Sequence, residues 1–217
     1  MKDADGRRQG GAAPAALKWQ EADLRQEQHD AKRRLILSQA AKMFADRGFH
    51  QTTIEQIAVA LNVTKPTIYY YIDSKEDILN KILQTALIDL DRSLVQQADE
   101  NLTAIERLER FFKVYTQIIL SDFGVCMALV TDRSLKPDYR KQLRTLKKEF
   151  ELRVRRILED GAKDGTITVE DPHLFAYAIF GAYNWLPQWF SGAGKASADE
   201  VGAAFFRMFR GAMEAGA

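Results

Sequence analysis

The stretch from Thr52 to Lys75, TTIEQIAVALNVTKPTIYYYIDSK, constrains this chain more than any other. It encodes two short helices joined by a turn too brief to let them part. Thr53 is placed to cap the first, with Gln56 three residues on to complete a capping box. Ile54, Ile57, Ala58 and Leu61 follow at helical spacing. Asn62 and Val63 make the turn. Thr64 caps the second helix, and Pro66 falls in its first turn, where a missing N–H costs no hydrogen bond. That helix carries Lys65, Thr67, Tyr69, Tyr70 and Tyr71 in one run, and Ile68 and Ile72 are its buried stripe. A helix that buries so little, and turns donors, rings and a cation outward, suits the major groove of duplex DNA.

The run T-T-I-x-x-I-A-x-x-L-x-V-T-K-P-T-I-Y-Y-Y-I-x-S-K-E-D-I-L resembles the N-terminal DNA-binding domain of the TetR family of transcriptional repressors. The match continues upstream through Arg34-Leu35-Ile36-Leu37, Ala40-Ala41, Phe44 and Gly48-Phe49, and covers about residues 31–80. Ile72 stands where the family usually has Phe, one apolar residue for another. The resemblance implies that Lys65, Thr67 and Tyr70 read bases, with Pro66 in van der Waals contact. It implies that Thr53, Tyr69, Tyr71 and Lys75 hold phosphates, and Thr64 joins this DNA-binding set.

Around this module the pattern is helical throughout, and the expected fold class is all-α. A three-helix helix-turn-helix domain over residues 29–75 precedes a helical bundle over 76–217, about nine helices in all. Residues 1–28, polar or small with Gly6, Gly10, Gly11 and Pro14, read as a disordered arm. Trp19 and Leu24 allow a short helical extension, and Arg7 and Arg8 could reach a minor groove. The first helix runs from about Asp30 to Arg47 and ends at Gly48. Ser74 and Asp77 open a long helix reaching about Gln97, which can couple the two domains. Further helices are expected over about 103–121, 123–134, 137–163, 172–190 and 197–213.

The helix over 172–190 is apolar almost all round, so it is buried on every side or joins a subunit contact. The family resemblance likewise implies a homodimer through the last two helices, matching a palindromic operator. Within Gly181–Phe190, Pro187 removes a backbone bond and clashes with the carbonyl of Tyr183, so a kink is expected. Trp185 and Trp189, four apart, and the amides of Asn184 and Gln188 are suited to a small-molecule pocket. The N-W-x-x-x-W-F run, with Glu159-Asp160-Gly161, resembles a branch of the family that senses acyl-CoA thioesters and controls fatty-acid or steroid breakdown. Such an effector implies an apolar tunnel, from Phe112, Tyr115, Phe123, Met127, Phe150 and Phe180, and cations at its mouth. Arg133, Lys136 and the basic face Arg140, Lys141, Arg144, Lys147, Lys148 and Arg155 offer these.

Other classes fit less well. His29, His50 and His173 lie in the tail, a turn and a helix start, away from any Cys or carboxylate at ligand spacing, so neither an enzyme nor a metal or other cofactor is expected. Cys126 is the only cysteine, which excludes an internal disulfide. The net charge of +1 does not advertise nucleic acid; residues 1–75 carry 12 Lys/Arg against 9 Asp/Glu, so charge must work locally. No apolar run reaches membrane-spanning length and no signal peptide precedes the domain, so a cytoplasmic protein without membrane contact is expected. A purely architectural DNA binder would not need the helical C-terminal half. A sensor of lipophilic cations controlling efflux is the competing effector reading; it asks for an acid on the pocket wall, for which Asp122 and Asp132 are candidates.

Overall fold

A computed structural model of the chain describes residues 15–96, 101–130, 132–191, 194 and 196–214, with side chains from Leu24 onward except Asp132. The described residues form ten α-helices: α1 Ala15–Arg47, α2 Ile54–Ala60, α3 Lys65–Tyr71, α4 Lys75–Gln96, α5 Ala104–Ile119, α6 Asp122–Leu129, α7 Pro137–Asp164, α8 Pro172–Asn184, α9 Leu186–Trp189 and α10 Ala198–Glu214. A 3-10 turn, Asp132–Ser134, lies between α6 and α7. No strand occurs among the described residues, and none of their helices is by itself long and apolar enough to cross a membrane.

Three boundaries differ from the sequence reading, the first being that the helix expected over 123–134 ends at Leu129, with the 3-10 turn Asp132–Ser134 beyond it. The expected disordered arm extended to residue 28, but α1 begins at Ala15. Residues 15–28 are rich in Ala, Leu, Gln, Glu and Arg and contain no Gly or Pro, so nothing local interrupts the helix. Arg7 and Arg8 lie outside the described residues. The single helix expected over 172–190 is two, α8 and α9, with Trp185 as the joint. Pro187 thereby falls in the first turn of α9, where its lack of an N–H is harmless.

The helix ends are set by local chemistry. Gly48 takes a left-handed backbone, φ 86°, and its N–H bonds Phe44 O at 3.0 Å to close α1. Thr103 and Glu106 form a reciprocal capping box at α5, while Ser197 and Glu200 repeat the exchange before α10.

The core is continuous from the N-terminal helices to α10. Around the first three helices it includes Leu37, Ala40, Ala41, Phe44, Phe49, Ile57, Ile68 and Ile72. In the C-terminal half it is aromatic: the Phe112 ring lies 4.7 Å from Tyr183 and 5.6 Å from Tyr115. A Cβ at Gly202 would stand 2.4 Å from Thr116 Oγ1, so only glycine lets α10 approach α5 this closely. Tyr183 uses that approach, donating its hydroxyl to Gly202 O at 3.0 Å. The long α4 packs on α1, α5, α6 and α7 and so belongs to both halves. A second link runs from α1 to α6: Ser38 Oγ donates to the Asp122 carboxylate, and Lys42 Nζ is 3.5 Å from it.

Candidate DNA-reading face and ligand cavity

The first candidate site is the outer face of α3. Thr53 caps α2 with its hydroxyl accepting from Gln56 N, and the Gln56 side chain returns a bond to Thr53 N, so the anticipated capping box is complete. Asn62 makes the turn with φ 53°, a left-handed conformation that Asn tolerates better than most residues. Thr64 then caps α3, accepting from Thr67 N at 3.3 Å. Ile68 and Ile72 anchor α3 in the core. Thr64, Lys65, Pro66, Thr67, Tyr69 and Tyr70 face solvent, with Tyr70 73% exposed.

Three details go beyond the sequence reading. Lys65 Nζ pairs with the Glu55 carboxylate on α2 and stands 5.8 Å over the Tyr69 ring. This pairing raises the Lys65 ammonium and lowers the Glu55 carboxyl relative to their ordinary ranges, with the side-chain hydrogen bond as the main cause. Tyr71 is half-buried, 4.8 Å from the His29 ring on α1 and 4.9 Å from Tyr70. Lys75 is bonded in a way the sequence reading did not anticipate. Rather than pointing outward to a phosphate, its Nζ donates to Phe49 O at 2.9 Å, Thr52 O at 3.0 Å and His50 O at 3.5 Å, and sits 4.4 Å over the Phe49 ring. The carbonyls of the α1–α2 turn attract it, and in that position it braces the turn.

The second candidate site is a cavity of about 960 Å³. Leu87 and Leu90 of α4, Met127 and Ala128 of α6, Phe150 and Leu152 of α7 and Phe180 of α8 form its apolar wall. Tyr115 and Asn184 add a polar pair, Tyr115 Oη donating to Asn184 Oδ1 at 2.7 Å. Burial pushes the Tyr115 hydroxyl far above its ordinary range, so it stays protonated and acts as a donor. Arg144, Lys147 and Lys148 line the same cavity, as do Glu151, Arg155, His173 and Tyr177.

Of the anticipated ligand residues, Tyr115, Met127, Phe150, Phe180 and Asn184 meet in this wall, together with part of the basic face of α7. The others do not. Phe112 lies one layer behind, among Tyr115, Tyr183 and Phe206. Phe123 is buried on another face of α6, with the Arg34 guanidinium 5.5 Å over its ring. Arg133 is exposed beyond α6 and does not line the cavity. Trp185, Gln188 and Trp189 are exposed outside it because the break at Trp185 reorients everything after Asn184. Asp122 faces α1, and nothing is described of the Asp132 side chain. Glu151, His173 and Tyr177 were missed: Glu151 and His173 are far apart in sequence, and no local pattern announces their meeting. Among the described residues no cluster of His, Cys, Asp or Glu is arranged to hold a metal ion.

Comparison with known proteins bears on both sites. Residues 36–82 match the family model for bacterial regulatory proteins of the tetR family, and residues 101–213 match the model for the tetracyclin repressor-like C-terminal domain. The transcriptional repressor KstR2 of Rhodococcus jostii is 28% identical over 173 residues, spanning 78% of this chain and 85% of that protein. The crystal structure of PfmR, a TetR-family regulator from Thermus thermophilus, superposes with a TM-score of 0.73 at 28% identity, covering 80% of this chain and 96% of the other. AibR, solved in complex with isovaleryl coenzyme A and operator DNA, shares the fold with a TM-score of 0.71 at 22% identity, over 81% of this chain and 96% of its own.

Proposed function

This chain belongs to the TetR family of DNA-binding transcriptional regulators, and on that premise we propose that it is a dimeric repressor released from a palindromic operator by an acyl-CoA thioester. The α3 surface enters the major groove, with Lys65, Thr67 and Tyr70 at base edges and Pro66 against them; Thr53, Thr64, Tyr69 and Tyr71 serve the backbone. The operator-bound AibR complex and the exposed tyrosines support this assignment. Leu174 of α8 and Met208 of α10 are largely exposed apolar side chains, which supports dimerisation through these two helices.

The observation carrying the effector assignment is the charge balance of the cavity. Arg144, Lys147 and Lys148 line the cavity beside a wall of Leu, Met and Phe, and Glu151, held by Arg155, is the one acid among the lining residues. That combination suits an apolar chain ending in a polyanionic head. Glu151 is the one feature favouring the rival, a lipophilic-cation sensor; Arg155 beside it and the excess of cations weigh against that reading.

The protein selects its own site from a pool of random duplexes, and release is then measured by fluorescence anisotropy. A palindrome released by medium-chain acyl-CoAs, and not by free CoA or aromatic dye cations, is the expected result. Release by dye cations and by no thioester overturns the effector assignment. Recovery of no preferred sequence overturns the operator assignment.

A further inference from the structure

The two ends of the cavity differ. α7 and α8 run antiparallel across it: His173, near the start of α8, meets Glu151 and Arg155, whereas Phe180 meets Phe150 at 5.6 Å. Arg144 and Arg155 lie roughly 16 Å apart along α7 at about 1.5 Å per residue. The Arg144 end is basic, with Lys147 and Lys148 alongside.

The far end is charged without being basic. Glu151 is a carboxylate only 9% exposed. Arg155 NH1 lies 3.8 Å from Glu151 Oε1, and its Nε lies 3.3 Å from Glu159 Oε1. That Nε is nonetheless buried without an aligned hydrogen-bond partner. His173 Nδ1 faces Arg155 NH1 at 3.1 Å and Glu151 Oε1 at 3.4 Å. One ring nitrogen cannot accept from a guanidinium and donate to a carboxylate at once. The cluster thus lacks one group that both accepts and donates.

We propose that Glu151, Arg155 and His173 form a subsite for a hydroxyl group on the distal part of the effector, so that the ligand is a hydroxylated acyl thioester rather than a plain alkyl one. This rests on the acyl-thioester reading above. A hydroxyl accepts from Arg155 or His173 and donates to Glu151. A terminal methyl supplies neither the donor nor the acceptor that His173 cannot provide at once to Glu151 and Arg155. A carboxylate becomes a third acid, beside Glu151 and Glu159, around one guanidinium. A ketone answers Arg155 and gives Glu151 nothing.

The test is isothermal titration of the full chain with CoA thioesters ending in methyl, hydroxyl or carboxylate, compared at each of several chain lengths. At the best-fitting length the hydroxyl-ended thioester binds about tenfold more tightly than the methyl-ended one. In Glu151→Gln that advantage shrinks to less than about threefold, with operator binding retained as the control for folding. If Glu151→Gln does not fold, Arg155→Met serves as the second variant, and the wild-type comparison stands without either. A methyl- or carboxylate-ended thioester that binds best at every length overturns the subsite, as does an undiminished hydroxyl preference in the variants. Absence of binding by any thioester overturns the effector reading along with it.

Discussion

On α3, Tyr70 is 73% exposed and Tyr69 is 46% exposed; on α5, Tyr115 is 2% exposed and spends its hydroxyl on Asn184. The first two residues stand in water although the chain has an aromatic core. In the C-terminal half Phe111, Phe112, Phe150, Phe180 and Tyr183 crowd within ring-contact distance of Tyr115. The difference separates two uses of one side chain. A buried ring stabilises by removing apolar area from water and by edge-to-face contact. A ring held out on a rigid helix removes little area from water, and its value lies chiefly in what it meets.

The largest test of that contrast is Phe112→Ala. Its ring is fully buried among five others, so stability falls by about 4 kcal/mol, read from the denaturation midpoint. A loss below about 1 kcal/mol means the wall is not packed as described. Next comes Lys75→Met, which keeps the stem and deletes the charge. Loss of the bonds to Phe49, His50 and Thr52 lowers stability by about 2 kcal/mol and leaves the salt dependence of DNA binding unchanged. Unchanged stability with a salt slope shallower by about 0.9 makes Lys75 a phosphate ligand after all. Tyr70→Ala should do the reverse of Phe112→Ala: stability moves by less than about 0.5 kcal/mol while operator affinity falls about tenfold. A melting shift as large as that of Phe112→Ala erases the distinction. The smallest effect is that of Glu55→Gln, which releases Lys65 from its partner. The salt slope on non-specific duplex steepens by about 0.9 as one more cation becomes available to phosphate. An unaltered slope shows that the pair already opens on DNA.

The reading module was legible because its determinants are local. Thr53 with Gln56, Asn62, Thr64 and the Ile68–Ile72 pair all act within about 20 residues of one another, where capping and periodicity suffice. The inward bonding of Lys75 was not legible because its partners lie more than twenty residues upstream, on carbonyls that carry no sequence signature. The cavity was legible in composition and not in placement. Tyr115, Phe150, Phe180 and Asn184 reach it from three helices, and the basic face of α7 could be read from its own spacing. Trp185 and Trp189 were expected to share a helix face, an inference that holds only for an unbroken helix. The break at Trp185 removed that premise. Glu151 and His173 meet through the antiparallel pairing of α7 and α8, which depends on the turn between them.

Asp122 and Met127 share α6, less than two turns apart; the first is held by Ser38 and Lys42 of α1, and the second lines the cavity. So short a helix has no soft joint in which a displacement can be lost. It works as a stub lever, with its fulcrum where Gly124 presses on the end of α5 and a Cβ would stand 2.1 Å from Ile118 O. An occupant wide enough to push Met127 aside would bear through α6 on α1, which packs on α2 and α3, as well as on α4.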